Sequence, residues 1–301
     1  MFRSQVRREV TAFVGLTYAM TALLAVALPH SVAAPLLSVV TPVLSVAAIT
    51  LLGTPRSSRR GLWAGFGFGS AGLRSWPAAI IFPMVFLTVA YGAAVTVGVT
   101  DLRGPDLSAH GLALTLPDLA ITLILGTVLI LGEEIGWRGF LLPRLQVLTS
   151  RRKAAVGTGF LHGAFHLPVL LLTTTYDEVG NRFIVAPVVV ATITAAGVFY
   201  AWLRDRSGSI WPVAIAHNTA NTVFDLGAAA AVTSSPVALA YVAGETGVAT
   251  FLVVAGVAIW LLTRSSVWDL ESASTEASGE NGCGGLLPGR AAAGPFSVTR
   301  Q

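Results

Sequence analysis

An all-α bundle of about eight membrane-spanning helices, with both termini cytoplasmic, is the fold class the sequence predicts, and three observations carry it. Hydrophobic residues make up 54% of the 301 residues and charged ones only 11%, with a mean hydropathy of +0.73. Such a chain is too apolar for an ordinary soluble domain. Apolar runs of roughly 20 residues, the length that crosses a bilayer core as a helix, recur along it. The 19 basic residues gather in the short gaps between these runs.

The runs fall at about 10–28, 34–53, 77–100, 119–142, 154–172, 185–203, 210–232 and 246–263. The first follows the basic stretch MFRSQVRREV and has some features of a signal peptide. Its apolar length, and Pro35 right after the small-residue site SVAAP, favour a retained span. Between the second and third runs, GLWAGFGFGSAGL sets Gly61, Gly65 and Gly69 at GxxxG spacing. That spacing fits close helix packing, or an interfacial segment given the short distance to Arg74. In the fourth run only 14 uncharged residues separate Asp118 from Glu133. They make about 21 Å of helix against a hydrocarbon core of roughly 30 Å. The span therefore continues through a charged cluster to about Leu142, with Asp118 capping its outer end and Arg144 anchoring the inner one. The fifth and seventh runs carry histidines, whereas the sixth and eighth are free of charged residues. No internal repeat is visible.

With a cytoplasmic N-terminus, the inside segments hold Arg3, Arg7, Arg8, Arg56, Arg59, Arg60, Arg74, Arg144, Arg151, Arg152, Lys153, Arg204, Arg206, Arg264, Arg290 and Arg300. Only Arg103 and Arg182 fall outside, and Arg138 lies in the membrane. So one-sided a distribution is what the positive-inside rule expects. The basic balance thus reports orientation and needs no nucleic-acid partner. The expected location is the plasma membrane of a bacterium, among membrane lipids. A single cysteine, Cys283, excludes an internal disulfide and a cysteine metal cluster; it lies in the polar stretch ESASTEASGENGCGG, read as disordered tail.

The stretch LGEEIGWRGFLLPRL, Leu131–Leu145, sets Glu133, Glu134 and Arg138 at membrane depth. Ionisable groups there are costly and mark a site or find partners. Glu134 and Arg138 are four apart on one helix face with the acid first, the favourable order for an ion pair. Glu133 points about 100° away, with no local mate and free for chemistry. A buried polar knot that only fixes helix packing is the competing reading of this helix. The fifth run, in GFLHGAFHLPVL, holds His162 and His166 one turn apart, and the seventh, in IWPVAIAHNTANTVF, holds His217 and Asn221 one turn apart. Three helices can bring these groups to similar depth.

A glutamate with a histidine neighbour can take a proton from water as a general base, and a His/Asn pair can supply donors to the oxyanion formed at an amide carbonyl. Glu133, His166 and His217 can alternatively bind zinc with a position left open for water, although no HExxH or other local zinc signature is present. No serine or cysteine stands in a nucleophile context.

EEIGWRG with FLLPRL, then AFHLP, then AHNTAN resembles the CPBP family of intramembrane proteases, which includes type II CAAX prenyl endopeptidases and bacterial Abi-domain proteins. The likeness covers about residues 115–225. It divides the chain into N-terminal helices with a juxtamembrane segment (1–114), a core (115–225), a C-terminal membrane region (226–263) and a cytoplasmic tail (264–301). The family's EExxxR falls on Glu133, Glu134 and Arg138, its second-motif histidine on His166, and its HxxxN on His217 and Asn221. One position departs: His162 stands where the family usually has an aromatic, and is either a substitute wall of the site, the favoured reading, or an extra polar group. The resemblance implies an endopeptidase, commonly labelled a metalloprotease, that hydrolyses a membrane-associated peptide or protein near the cytoplasmic face. In that reading Glu133 and His166 activate water, Arg138 holds Glu134, and His217 with Asn221 stabilises the oxyanion. Asp225, two turns beyond His217, is read as structural. A non-proteolytic scaffold or immunity protein and a transporter are the readings from other classes; a transporter would often show two repeated halves.

Overall fold

The computed structural model describes residues 2–174 and 180–269. The chain is an integral membrane protein built almost wholly of helices: α1 (Phe2–Ala27), α2 (Ala33–Ser38), α3 (Thr41–Ala48), α4 (Arg56–Ala64), α5 (Trp76–Thr96), α6 (Ala109–Glu134), α7 (Leu142–Leu148), α8 (Arg151–Phe165), α9 (Leu167–Leu172), α10 (Arg182–Ser207), α11 (Trp211–Ala230), α12 (Pro236–Val242) and α13 (Val248–Arg264). Two short strands, β1 (Asp101–Leu102) and β2 (Ala231–Val232), pair antiparallel, with Asp101 opposite Val232.

Six helical segments are long and apolar enough to cross a membrane, among them Arg3–Ala27, Ala33–Gly53, Leu73–Thr96 and Arg182–Ser207. The seventh and eighth expected runs are also helical, but α11 is diluted by His217, Asn218, Asn221 and Asp225, and α13 has only 17 residues. The fourth run is longer than expected. It forms one continuous helical segment from Ala109 to Leu148 and passes through a π-helical stretch at Ile135–Leu141, between α6 and α7. Its N-terminal end is capped by Ser108, whose hydroxyl accepts from the Gly111 amide at 3.0 Å. Asp118, expected as that cap, lies inside α6, because the apolar pattern continues outward past it.

The helix ends define two faces. One carries α4, the α7–α8 turn, the α10–α11 turn and the end of α13; the other carries the α1–α2 turn, the β1–β2 ribbon, α12 and the loop before α13. Every basic residue named above as cytoplasmic and described in the structure belongs to the first face or to the ends of helices that reach it, and Arg103 and Arg182 belong to the second.

α8 and α10 form the closest crossing. A Cβ on Gly163 would sit 2.8 Å from the Val190 carbonyl oxygen, and one on Gly197 would run into Gly159 Cα. Glycine at these positions lets the two backbones touch, the usual role of small residues where membrane helices pack. The glycines at GxxxG spacing do not work this way. α4 is an exposed helix without buried residues, and added Cβ atoms at Gly61 and Gly69 would meet nothing within 4 Å, so the segment is not a packing motif.

The loop that follows α4 is pinned across the first face. Arg204 Nη2 donates to the Gly65 carbonyl at 2.8 Å, the Ile210 amide to Gly67 at 3.2 Å, and the Ser209 hydroxyl to Ser70. Gly67 has φ +85°, and a Cβ there would lie 2.9 Å from the Arg204 guanidinium, so only glycine makes this turn. Of the tail expected from residue 264, Arg264 closes α13 and Ser266–Asp269 form a turn in which buried Trp268 donates to the Leu261 carbonyl at 2.9 Å. Residues 270–301, with Cys283 and the Gly/Ser-rich stretch, lie outside the described residues.

Candidate active site

α6 and the π stretch, α8 and α11 bring the three motifs together. Arg138 Nη1 donates to Glu134 Oε1 at 2.9 Å and Oε2 at 3.1 Å, and neither side chain has any exposure. The expected four-residue ion pair is therefore present and wholly buried. From α11, His217 Nδ1 donates to the same Glu134 oxygen at 2.7 Å. Glu134 is thus spoken for twice.

Glu133, by contrast, reaches across to α8. His162 Nε2 lies 2.9 Å from Glu133 Oε2, and His162 Nδ1 lies 3.1 Å from Arg138 Nη1. The guanidinium can only donate, so His162 Nδ1 must accept and the ring's proton sits on Nε2, donated to Glu133. His166 Nδ1 faces the His162 carbonyl at 3.0 Å, an acceptor only, so this nitrogen carries a proton and Nε2 keeps the lone pair of the neutral ring. One backbone carbonyl and one guanidinium thereby fix both tautomers.

The rings are held by aromatic neighbours. Trp137 stacks on His162 with centroids 5.0 Å apart, and Tyr200 stacks on His217 at 5.4 Å. The Arg138 Cζ lies 4.9 Å from the Tyr200 ring centre. Its Nε and Nη2 are buried without a hydrogen-bond partner, so the ring's negative face is the compensation available to them. Gly197 makes room, since a Cβ there would come 3.3 Å from Nη2. Towards the first face the cluster is covered by Phe13, Phe66, Trp137, Phe140 and Leu141, none more than 1% exposed.

On its other side the cluster borders a cavity of about 310 Å³. Glu133, His166, Asn221 and Asp225 line it, with Ser38 and Glu245. Asn221 is exposed on this wall. Its neighbour Asn218, which the sequence did not single out, is buried and clasps α6: its Nδ2 is 3.1 Å from the Leu123 carbonyl and 3.2 Å from Thr127 Oγ1. A Cβ on Gly126 would collide with the Asn218 amide, so that glycine admits the clasp.

His162 takes both roles that the sequence leaves open. It is a wall, through Trp137, and it is also the direct partner of Glu133, while His166 reaches the cavity through its own ring. Among the described residues, the group close enough to hold a metal ion is Glu133, His162 and His217, whose donor atoms lie within 4.8 Å of one another. The set expected from sequence had His166 in the place of His162. The sequence marks His162 as one turn before His166 without pairing it with Glu133; nothing there marks Tyr200.

The three motifs thus form one buried network of carboxylates, guanidinium and imidazoles beside a polar cavity of a membrane protein. Residues 115–223 match the family described as Type II CAAX prenyl endopeptidase Rce1-like, which supports a CPBP/CAAX protease family for this stretch. No curated protein matches the chain.

Proposed function

We propose that the protein is an intramembrane endopeptidase in which Glu133 activates water for attack on a peptide carbonyl. The observation that carries this is the separation of the two glutamates: Glu134 is neutralised by Arg138, whereas Glu133 lines the cavity beside His166 and is held by a neutral His162.

Glu133 takes one proton from the attacking water, with the Nε2 lone pair of His166 as a second acceptor at the cavity wall. The water oxygen bonds to the carbonyl carbon, and the negative charge that develops on the carbonyl oxygen is met by Asn221 and by His217. Because Nδ1–H of His217 is committed to Glu134, donation from Nε2 requires its imidazolium form. Glu133 then returns its proton to the departing amine as the C–N bond breaks.

Zinc is a second reading, favoured by the spacing of Glu133, His162 and His217. It would act as a Lewis acid on the carbonyl and the water. Holding it through Nε2, His162 would have to move its proton to Nδ1, where it would face the Arg138 N–H at 3.1 Å, donor against donor. The ring's present partners therefore favour the metal-free reading.

The test is a peptide-terminus survey. Protein reconstituted in liposomes is mixed with detergent-solubilised membrane proteins from a strain lacking it. New peptide termini should appear with wild-type protein and vanish with Glu133→Gln. Their absence with folded wild-type protein would refute the proposal.

A further inference from the structure

We infer that the site is fed from the face bearing the β1–β2 ribbon, so that its substrates are peptide segments presented on the non-cytoplasmic side of the membrane. This rests on the peptidase reading for the word substrate, but the route itself rests on the shape of the molecule.

The residues that line the cavity decide its direction. Pro35, Ser38 and Val39 are in the first turns after the α1–α2 connection, Phe165, His166 and Val169 in the end of α8 and in α9, and Asn221, Phe224 and Asp225 in the second half of α11. All of these lie towards the ribbon face. Glu245 belongs to the loop before α13, on that face itself. A second cavity of about 480 Å³ lies against Tyr91, Pro236, Ala240 and Gly244 and shares Glu245 with the first. Glu245 is thus the residue common to the cavity at Glu133 and the one beneath the ribbon.

The opposite direction is closed. Phe66 and Phe140 are packed beneath the loop that Arg204, Ile210 and Ser209 pin down. Opening a path there would break a core of aromatic rings. Asp225 adds an independent argument. It is exposed at the mouth of the cavity, and a carboxylate facing lipid would be costly, so the mouth is aqueous.

The sidedness follows from charge. The closed face carries Arg56, Arg59, Arg60, Arg151, Arg152, Lys153, Arg204 and Arg206, and the open face only Arg103 and Arg182. The closed face is then cytoplasmic. This reverses the cytoplasmic cleavage that the family resemblance leads one to expect.

Cysteine labelling tests the route. In a Cys283→Ser background, single cysteines replace Ser57 on the closed face, Ser235 on the open face, and Asp225 or Phe224 in the cavity. A membrane-impermeant maleimide is applied to right-side-out and to inverted vesicles. Asp225→Cys and Phe224→Cys should label from the same side as Ser235→Cys, and that side should be the outside. Labelling of the cavity positions from the Ser57 side, or from neither, overturns the inference. The pattern does not depend on catalysis, so an inactive protein with outward-labelled cavity cysteines refutes the peptidase alone. Where activity is found, the termini lost in Glu133→Gln should map to non-cytoplasmic segments of their parent proteins; termini mapping to cytoplasmic segments would overturn the substrate class.

Discussion

The two glutamates of one helix turn live in different solvents. Around Glu134 the protein is dry: its carboxylate meets Arg138 and His217, and Phe13, Trp137 and Phe140 close over the pair. Glu133, although itself buried, lines a cavity that has His166, Asn221 and Asp225 on its other walls. Adjacent positions in sequence thus serve opposite ends, one fixing the helices and the other facing a reactant. An ion pair in a dry site stabilises only while both partners are present, whereas a group facing water can lose its charge with little effect on folding.

The sharpest way to break this contrast is Glu133→Gln. It should lower kcat/KM by about 10²–10⁴-fold, the usual contribution of a general base, while the melting temperature of the detergent-purified protein stays near wild type. Glu134→Gln should do the reverse and strand a buried guanidinium, at about 3–5 kcal/mol of stability read as lost folded yield and a lowered melting temperature. Equal loss of folded protein in the two variants would sink the division between them.

Asn218→Ala is a smaller perturbation. It removes the bonds to Leu123 and Thr127 and should cost about 1–3 kcal/mol, with Asn221→Ala, on the exposed wall, costing far less stability. Thermal unfolding of the two variants side by side measures the difference. The smallest expected effect is that of a chelator. Stripped protein should retain its activity; loss of activity restored by added zinc would favour the metal reading over the proton-transfer one.

Sequence reasoning reached the parts of the site that obey a local rule. The Glu134–Arg138 pair is a four-residue spacing on one helix, and the absence of a local mate for Glu133 follows from the same geometry. The His217 and Asn221 spacing was equally visible, but it does not say that Asn218 turns to α6, which depends on a glycine 92 residues earlier, Gly126. The same holds for His162, whose two possible roles the sequence cannot choose between. Whether a histidine one turn from another acts as wall or partner is decided by what Arg138 and Glu133 present to it from another helix. The crossing of α8 and α10 through Gly159, Gly163 and Gly197 is not legible because the contact joins two distant segments, while the regular glycine spacing near Gly61 belongs to a helix that packs through Leu62 and not through its glycines. The fourth span was too short in expectation because the run was measured from its charged residues, and Asp118 is carried inside the helix.

The π-helical stretch at Ile135–Leu141 gives the chain a strict count of residues. Its ladder reaches one residue further at each step than the α-helices on either side. Deleting a single residue there, Gly139 for example, would let the ladder relax to the ordinary helix and turn α7 by about 100° against α6. Arg144, which holds Glu9 of α1 at 2.7 Å, would then swing off its partner, and Phe140 would leave the ring of Phe13. The length of this segment is therefore itself part of the site: any homologous sequence one residue shorter between the glutamates and Pro143 must seat its arginine, or its first helix, differently.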